Sequence, residues 1–191
     1  MKSRNPFPRG FTLIELLVVM TIIAVLAGGI FSAAQFAIRN SQKVRAQHSA
    51  VGLAQGITNF TSDYGRFPFP SGTKAEKFDS NAAFMINLTG KDAEFNKRSR
   101  NFVDGMPLAK GAPPVGGLYY QGNSAELFDS WGNYFEIRMD HDGDGQVDNP
   151  EGGDKLNLKV AVISKGFDKT MSGVNPDDPK IPATKDNPRS W

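Results

Sequence analysis

Residues 11–38 read Phe11-Thr12-Leu13-Ile14-Glu15 and then LLVVMTIIAVLAGGIFSAAQFAI to Ile38. Within them Leu16–Ile38 is a run of 23 residues without a charge. A helix rises about 1.5 Å per residue, so this run spans roughly 35 Å, enough for a hydrocarbon core of about 30 Å. Arg39, Lys43 and Arg45 end the run but not the helix. Ala46, Ala50, Leu53, Ile57, Phe60 and Tyr64 recur at spacings that alternate between four and three. That spacing draws one narrow apolar face, so a single helix is predicted to continue to about Ser62, before Tyr64-Gly65 stops it. Its first half, 11–38, is apolar all round and needs lipid or other apolar helices. Its second half, 39–64, is amphipathic and needs a surface to lie against.

Upstream, residues 1–10 carry Lys2, Arg4 and Arg9 without an acid and are interrupted by Pro6, Pro8 and Gly10. The whole chain has 191 residues and a net charge of +2; without this segment it carries −1. There is thus no electrostatic footprint for nucleic acid, and none is expected as a partner. The absence of Cys excludes a disulfide framework, a thiolate metal site and a cysteine nucleophile, and two histidines do not make a zinc centre. A basic segment before an apolar run also suits a secretory signal cut near Ala27-Gly28-Gly29. The run is long for such a signal, however, and Glu15 sits near its start. A carboxylate there costs several kcal/mol in hydrocarbon unless it is neutralised or paired.

Downstream, residues 65–130 are rich in Gly, Pro, Asn and Ser and read as a connecting region with one short helix near 81–89. Two strands are predicted at 133–139 and 156–164, the second alternating and rich in β-branched residues. The tail from Thr170 to Trp191 is rich in Pro and Asp and reads as irregular. The fold class is therefore α+β: a long N-terminal helix packed on a small C-terminal antiparallel sheet.

Between the predicted strands stands Asp140-His141-Asp142-Gly143-Asp144-Gly145-Gln146-Val147-Asp148-Asn149-Pro150-Glu151. Oxygen side chains at loop positions 1, 3, 5, 9 and 12, with Gly145 at position 6, match the spacing of a calcium loop. Alternate residues of a tight loop turn their carboxylates inward, and the Gln146 carbonyl can add a ligand. Hard oxygen donors in this number favour Ca²⁺ over Zn²⁺ or Mg²⁺. Pro150, Gly152 and Gly153 rule out the exit helix of an EF-hand, so bidentate ligation by Glu151 lacks its usual frame. A solvated acidic hairpin loop is the alternative reading, and His141 is expected to face solvent.

The junction Arg9-Gly10-Phe11-Thr12-Leu13-Ile14-Glu15-Leu16-Leu17-Val18-Val19 closely resembles the class III leader junction of type IV pilins and type II secretion pseudopilins. By that resemblance a prepilin peptidase cuts between Gly10 and Phe11 and methylates the new Phe11 amine. Glu15 would then pair with the N-terminal amine of the adjacent subunit during assembly. Asp63-Tyr64-Gly65-Arg66-Phe67-Pro68, Asp129-Ser130-Trp131-Gly132-Asn133, Ser164-Lys165-Gly166-Phe167-Asp168 and the ending Ser190-Trp191 resemble segments of the major, G-type pseudopilin. Residues 69–128 match poorly. The family often has a proline where this chain has Ser32, with Gly28-Gly29 close by as a place for a bend or for close helix packing. The family also implies a structural calcium with Asp168 among its ligands, although another family ligand falls on Ala161.

What the resemblance implies is a structural subunit in the bacterial inner membrane, with a single span and its head in the periplasm. It would polymerise with itself into a pseudopilus, supported by minor pseudopilins, an assembly platform and an ATPase. A surface type IV pilin serving adhesion, motility or DNA uptake is the alternative; such pilins commonly close their C-terminal loop with a disulfide, which this chain lacks. An enzyme is not expected, since neither His48 nor His141 has a nucleophile setting.

Overall fold

The computed structural model describes residues 11–69, 75–91, 95–167, 169 and 187–191. The chain divides into two compact units at Asn40/Ser41, a boundary that falls within the first helix, α1 (Leu13–Tyr64). In the N-terminal unit, the helix is long and apolar enough to cross a membrane, and none of its apolar stretch is buried. It runs unbroken through Gly28 and Gly29.

In the second unit α1 is followed by β1 (Lys77–Asp79), α2 (Ala82–Thr89), β2 (Gly117–Gln121), β3 (Ser124–Phe128), β4 (Glu136–Met139) and β5 (Val160–Ile163). One antiparallel sheet has the order β1-β4-β5, with Phe78 opposite Ile137 and Ile137 opposite Val162. The other is the hairpin β2-β3. The predicted amphipathic face is the face that is buried: Ala50, Leu53, Ile57 and Phe60 are wholly enclosed, and Ala46 nearly so. Ala50, Leu53, Ile57 and Phe60 share one core with Phe84, Met85 and Leu88 of α2 and with Leu118, Leu127, Phe135, Ile137 and Val162. Enclosing a side chain of this size contributes about 1.5–3 kcal/mol, so this face, rather than helix propensity, holds the second half of α1 in place.

The region read as connecting is more structured than its composition suggested. The short helix is present, with the Asn81 side chain accepting from Phe84 N–H as its N-cap. The β2-β3 hairpin was not foreseen, although its signal is in the sequence. Gln121 pairs with Ser124 across the two-residue turn Gly122-Asn123, and Gly122 has φ +62°, a conformation glycine adopts without strain. The flanking runs, Leu118–Tyr120 and Ala125–Leu127, are too short to announce strands by alternation. Predicted strands 133–139 and 156–164 are observed in shortened form as β4 and β5. The Asp63–Phe67 segment also acquires a role here. The Tyr64 hydroxyl donates to Asn96 Oδ1 at 2.7 Å and accepts from Arg98 N–H, while Asp63 pairs with Arg100. Asn96 is fully buried and donates to the Asn87 and Arg100 carbonyls, so the end of α1 and the loop after α2 are tied at one residue.

Candidate functional site

Three groups of residues were singled out by sequence, and each has a distinct geometry. At the N-terminus, Gly10 lies outside the described residues, and Phe11 is exposed. Thr12 N–H and Thr12 Oγ1 both donate to Glu15 Oε2, at 2.9 and 2.7 Å, and Glu15 N–H is 3.3 Å from Thr12 Oγ1. This is a reciprocal capping box, with Thr12 as the N-cap and Glu15 three residues on. Within one chain, then, Glu15 satisfies the N–H and hydroxyl of Thr12 and places a negative charge where the helix dipole favours one. The pattern Thr-x-x-Glu ahead of an apolar run was available in the sequence and was not read as a cap.

The acidic loop joins β4 to β5, which are adjacent antiparallel strands. Asp140, Asp142 and Asp144 bring carboxylate oxygens within 4.8 Å of one another. Asp140 is buried and holds the loop from inside, accepting Gly143 N–H at 2.6 Å and Gly145 N–H at 2.9 Å. Asp142 accepts Asp144 N–H and Asp144 accepts Gln146 N–H, so the alternation expected of the loop is present in its hydrogen bonds. Hydrogen bonds from Gln146 N–H and Lys155 hold the exposed Asp144 carboxyl below the ordinary range. Lys155 Nζ lies 3.2 Å from its Oδ2. The Gln146 side chain donates to Asn157, and His141 is exposed.

Asp148 and Glu151 are not part of that carboxylate group. The Asp148 N–H donates to Glu76 Oε1 at 2.7 Å, and its side chain is exposed. Glu151 Oε2 pairs with Arg189 Nη1 at 2.9 Å, while Oε1 is buried without a hydrogen-bond partner. Burial pushes this carboxyl up, against the pull of Arg189 and a hydrogen bond with Asn187. Asp168 lies outside the described residues. Among the described residues the donor set therefore fits a hard divalent cation in part, through the trio of converging carboxylates; Glu151 is already engaged by Arg189 and Asn187.

A third arrangement was flagged only as motifs. Asp129 is fully buried. Its Oδ1 accepts from Trp131 N–H and Asn133 N–H, and its Oδ2 accepts from Ser164 Oγ at 2.6 Å and from Asn133 Nδ2. Asn133 Nδ2 is also 3.2 Å from the Gly166 carbonyl, and Ser164 Oγ accepts Gly166 N–H. Burial pushes the Asp129 carboxyl up, and the donors from Ser164, Asn133 and Trp131 oppose that. The segments 129–133 and 164–166 are thus one hydrogen-bonded unit centred on a buried carboxylate.

Residues 8–31 match the family model described as the prokaryotic N-terminal methylation motif. The leader is type IV pilin-like. Comparison with curated proteins and with solved structures gives no significant match. The motif match supports a subunit that is processed by prepilin peptidase, anchored in the inner membrane by its apolar helix and polymerised into a filament.

Proposed function

We propose that the protein is a structural subunit of a type II secretion pseudopilus, cut between Gly10 and Phe11, methylated on Phe11 and polymerised through its N-terminal helix to support protein export. The observation that carries this reading over a surface pilin is the buried Asp129–Ser164–Asn133–Gly166 network. It gives the two C-terminal segments that resemble major pseudopilins a shared structural task in a chain without cysteine. The subunit works by polymerisation rather than catalysis. Its N-terminal helix is stable only among lipids or other helices, and Glu15 favours the assembly in which it meets a neighbouring amine. An assembly platform and ATPase would drive extraction, and minor pseudopilins would accompany the homopolymer in the periplasm. The proposed calcium would be held by Asp140, Asp142 and Asp144, with the Gln146 carbonyl as a further ligand; Asp148 and Glu151, of the expected set, stand apart from the three carboxylates, and Asp168 belongs to the alternative site. When bound it would supply charge compensation to a loop that joins two core strands.

Deleting the gene in its host tests the reading. Loss of an exported protein from the medium, with surface filaments and twitching intact, is the expected result. Intact export with lost surface filaments would replace it by the surface-pilin reading.

A further inference from the structure

The second unit has a cleft of about 570 Å³ beside the start of its helical segment, a size ordinarily large enough for a small ligand. Arg45, His48 and Lys110 line it together with Val44, Leu108 and Val115. No Asp or Glu is among its described lining residues. Leu108 is 64% exposed and Val44 56%, so apolar side chains stand at the rim beside three basic ones. The cleft is built rather than incidental. Ser130 Oγ donates to the Gln42 carbonyl at 2.7 Å. Leu118 N–H donates to the Pro107 carbonyl and Ala109 N–H to the Leu118 carbonyl, which fixes the segment carrying Leu108 and Lys110.

The position along the chain bears on the occupant. Gln42 follows Ile38, the last residue of the apolar run, by four residues, which reach at most about 14 Å even fully extended. A cleft whose first lining residue follows a membrane span by so few residues is within reach of headgroups, and its mixture of basic and exposed aliphatic side chains complements a phosphate attached to acyl chains. We propose that this cleft holds the headgroup of an anionic phospholipid while the subunit is in the membrane. Arg45 and Lys110 bind the phosphate, and Val44 and Leu108 lie against the glycerol and upper acyl region. The inference rests on the reading of α1 as a membrane anchor.

The chain has no cysteine, so Leu108→Cys takes a single environment-sensitive fluorophore. The full chain is placed in nanodiscs of phosphatidylcholine alone or with added phosphatidylglycerol. Co-elution with the disc is measured first, and failure to incorporate would refute the anchor rather than the cleft. With incorporation established, phosphatidylglycerol should shift the emission to the blue, with half-saturation at a defined mole fraction. Arg45→Gln and Lys110→Gln should each raise that mole fraction about fivefold, while Lys110→Arg should restore it. Both cations are exposed, and unchanged melting of the variants excludes misfolding. Identical emission in the two lipids would overturn the proposal. So would a shift that follows the protein-to-lipid ratio regardless of headgroup, which assigns the cleft to a second copy. A shift produced by inorganic phosphate in phosphatidylcholine discs, which assigns it to the free anion, would overturn it as well.

Discussion

At the residue scale, the first test is where the mature chain begins. Mass spectrometry of membrane-extracted protein should show an N-terminal peptide that starts at a methylated Phe11; an intact Met1, or a start beyond Ala27, would refute the leader reading. The capping box adds a finer question, because Glu15 has both a local role and a proposed one between subunits. Glu15→Gln keeps an acceptor for Thr12 and removes the charge, whereas Glu15→Val removes both. Loss of a cap costs about 1 kcal/mol of helix stability and leaves an apolar segment that still inserts. Both variants should reach the membrane and neither should polymerise. Normal filaments from Glu15→Gln would reduce the residue to a cap. Asp129 can be probed through its donor: Ser164→Ala leaves one buried carboxylate bond unmade and should cost about 1–3 kcal/mol at neutral pH. A carboxyl raised by folding costs stability as pH rises through its unfolded value, 3.8, towards its folded one. Losing the Ser164 hydrogen bond raises the folded value further. The Ser164→Ala penalty should therefore shrink in acid, where Asp129 is protonated in both states, and reach its full size above the folded value. Unfolding in urea across pH would show this, and a pH-independent penalty would contradict the assignment.

At the scale of elements, the parts most legible in the sequence are those with long periods. The apolar run, the four-and-three face from Ala46 to Phe60 and the α2 helix all appear as read, because many residues repeat one geometric instruction. The hairpin was missed because it is written in two turn residues, Gly122-Asn123, and two very short strands. The loop was legible at positions 1, 3 and 5, where local spacing alone sets geometry. Its far end was not, because Glu151 is placed by Arg189 from the chain terminus, a contact no local pattern announces. Two substitutions separate the face that packs from the face that does not. Leu53 is fully enclosed and Val51 47% exposed. In urea unfolding of a head lacking residues 1–38, Leu53→Ala should cost about 2–5 kcal/mol and Val51→Ala about 0.5 kcal/mol or less. Equal costs would mean that the second half of α1 does not pack as described.

At the scale of the whole molecule, the question is how a head without disulfides keeps its C-terminal strands closed. Part of the answer is internal: Asp129 is buried among four donor contacts, and Ile163 is bridged to Arg189 near the end of the chain. The β4–β5 connection is closed by the Val147–Leu156 bridge, and its acidic turn lies ahead of that bridge. There Asp142 and Asp144 are exposed like charges converging with Asp140, and a single lysine, Lys155, stands against Asp144. An ion bound there by the folded head alone stabilises it by RT ln(1 + [L]/Kd). At a hundredfold excess over Kd that amounts to about 2.7 kcal/mol. A head lacking residues 1–38 should consequently melt several degrees higher with calcium than with chelator. Asp142→Ala or Asp144→Ala should abolish most of the difference. Asp168→Ala and Glu151→Gln separate the alternatives: a loop site survives both, whereas a site built around the tail and the unpaired Glu151 oxygen is lost with either. Lys155→Ala, which removes the ammonium paired with Asp144, should tighten binding if the loop is the site, because the ion no longer competes with it for that carboxylate. The same melting temperature with and without calcium, and no heat of binding by calorimetry, would leave the loop as a solvated hairpin tip.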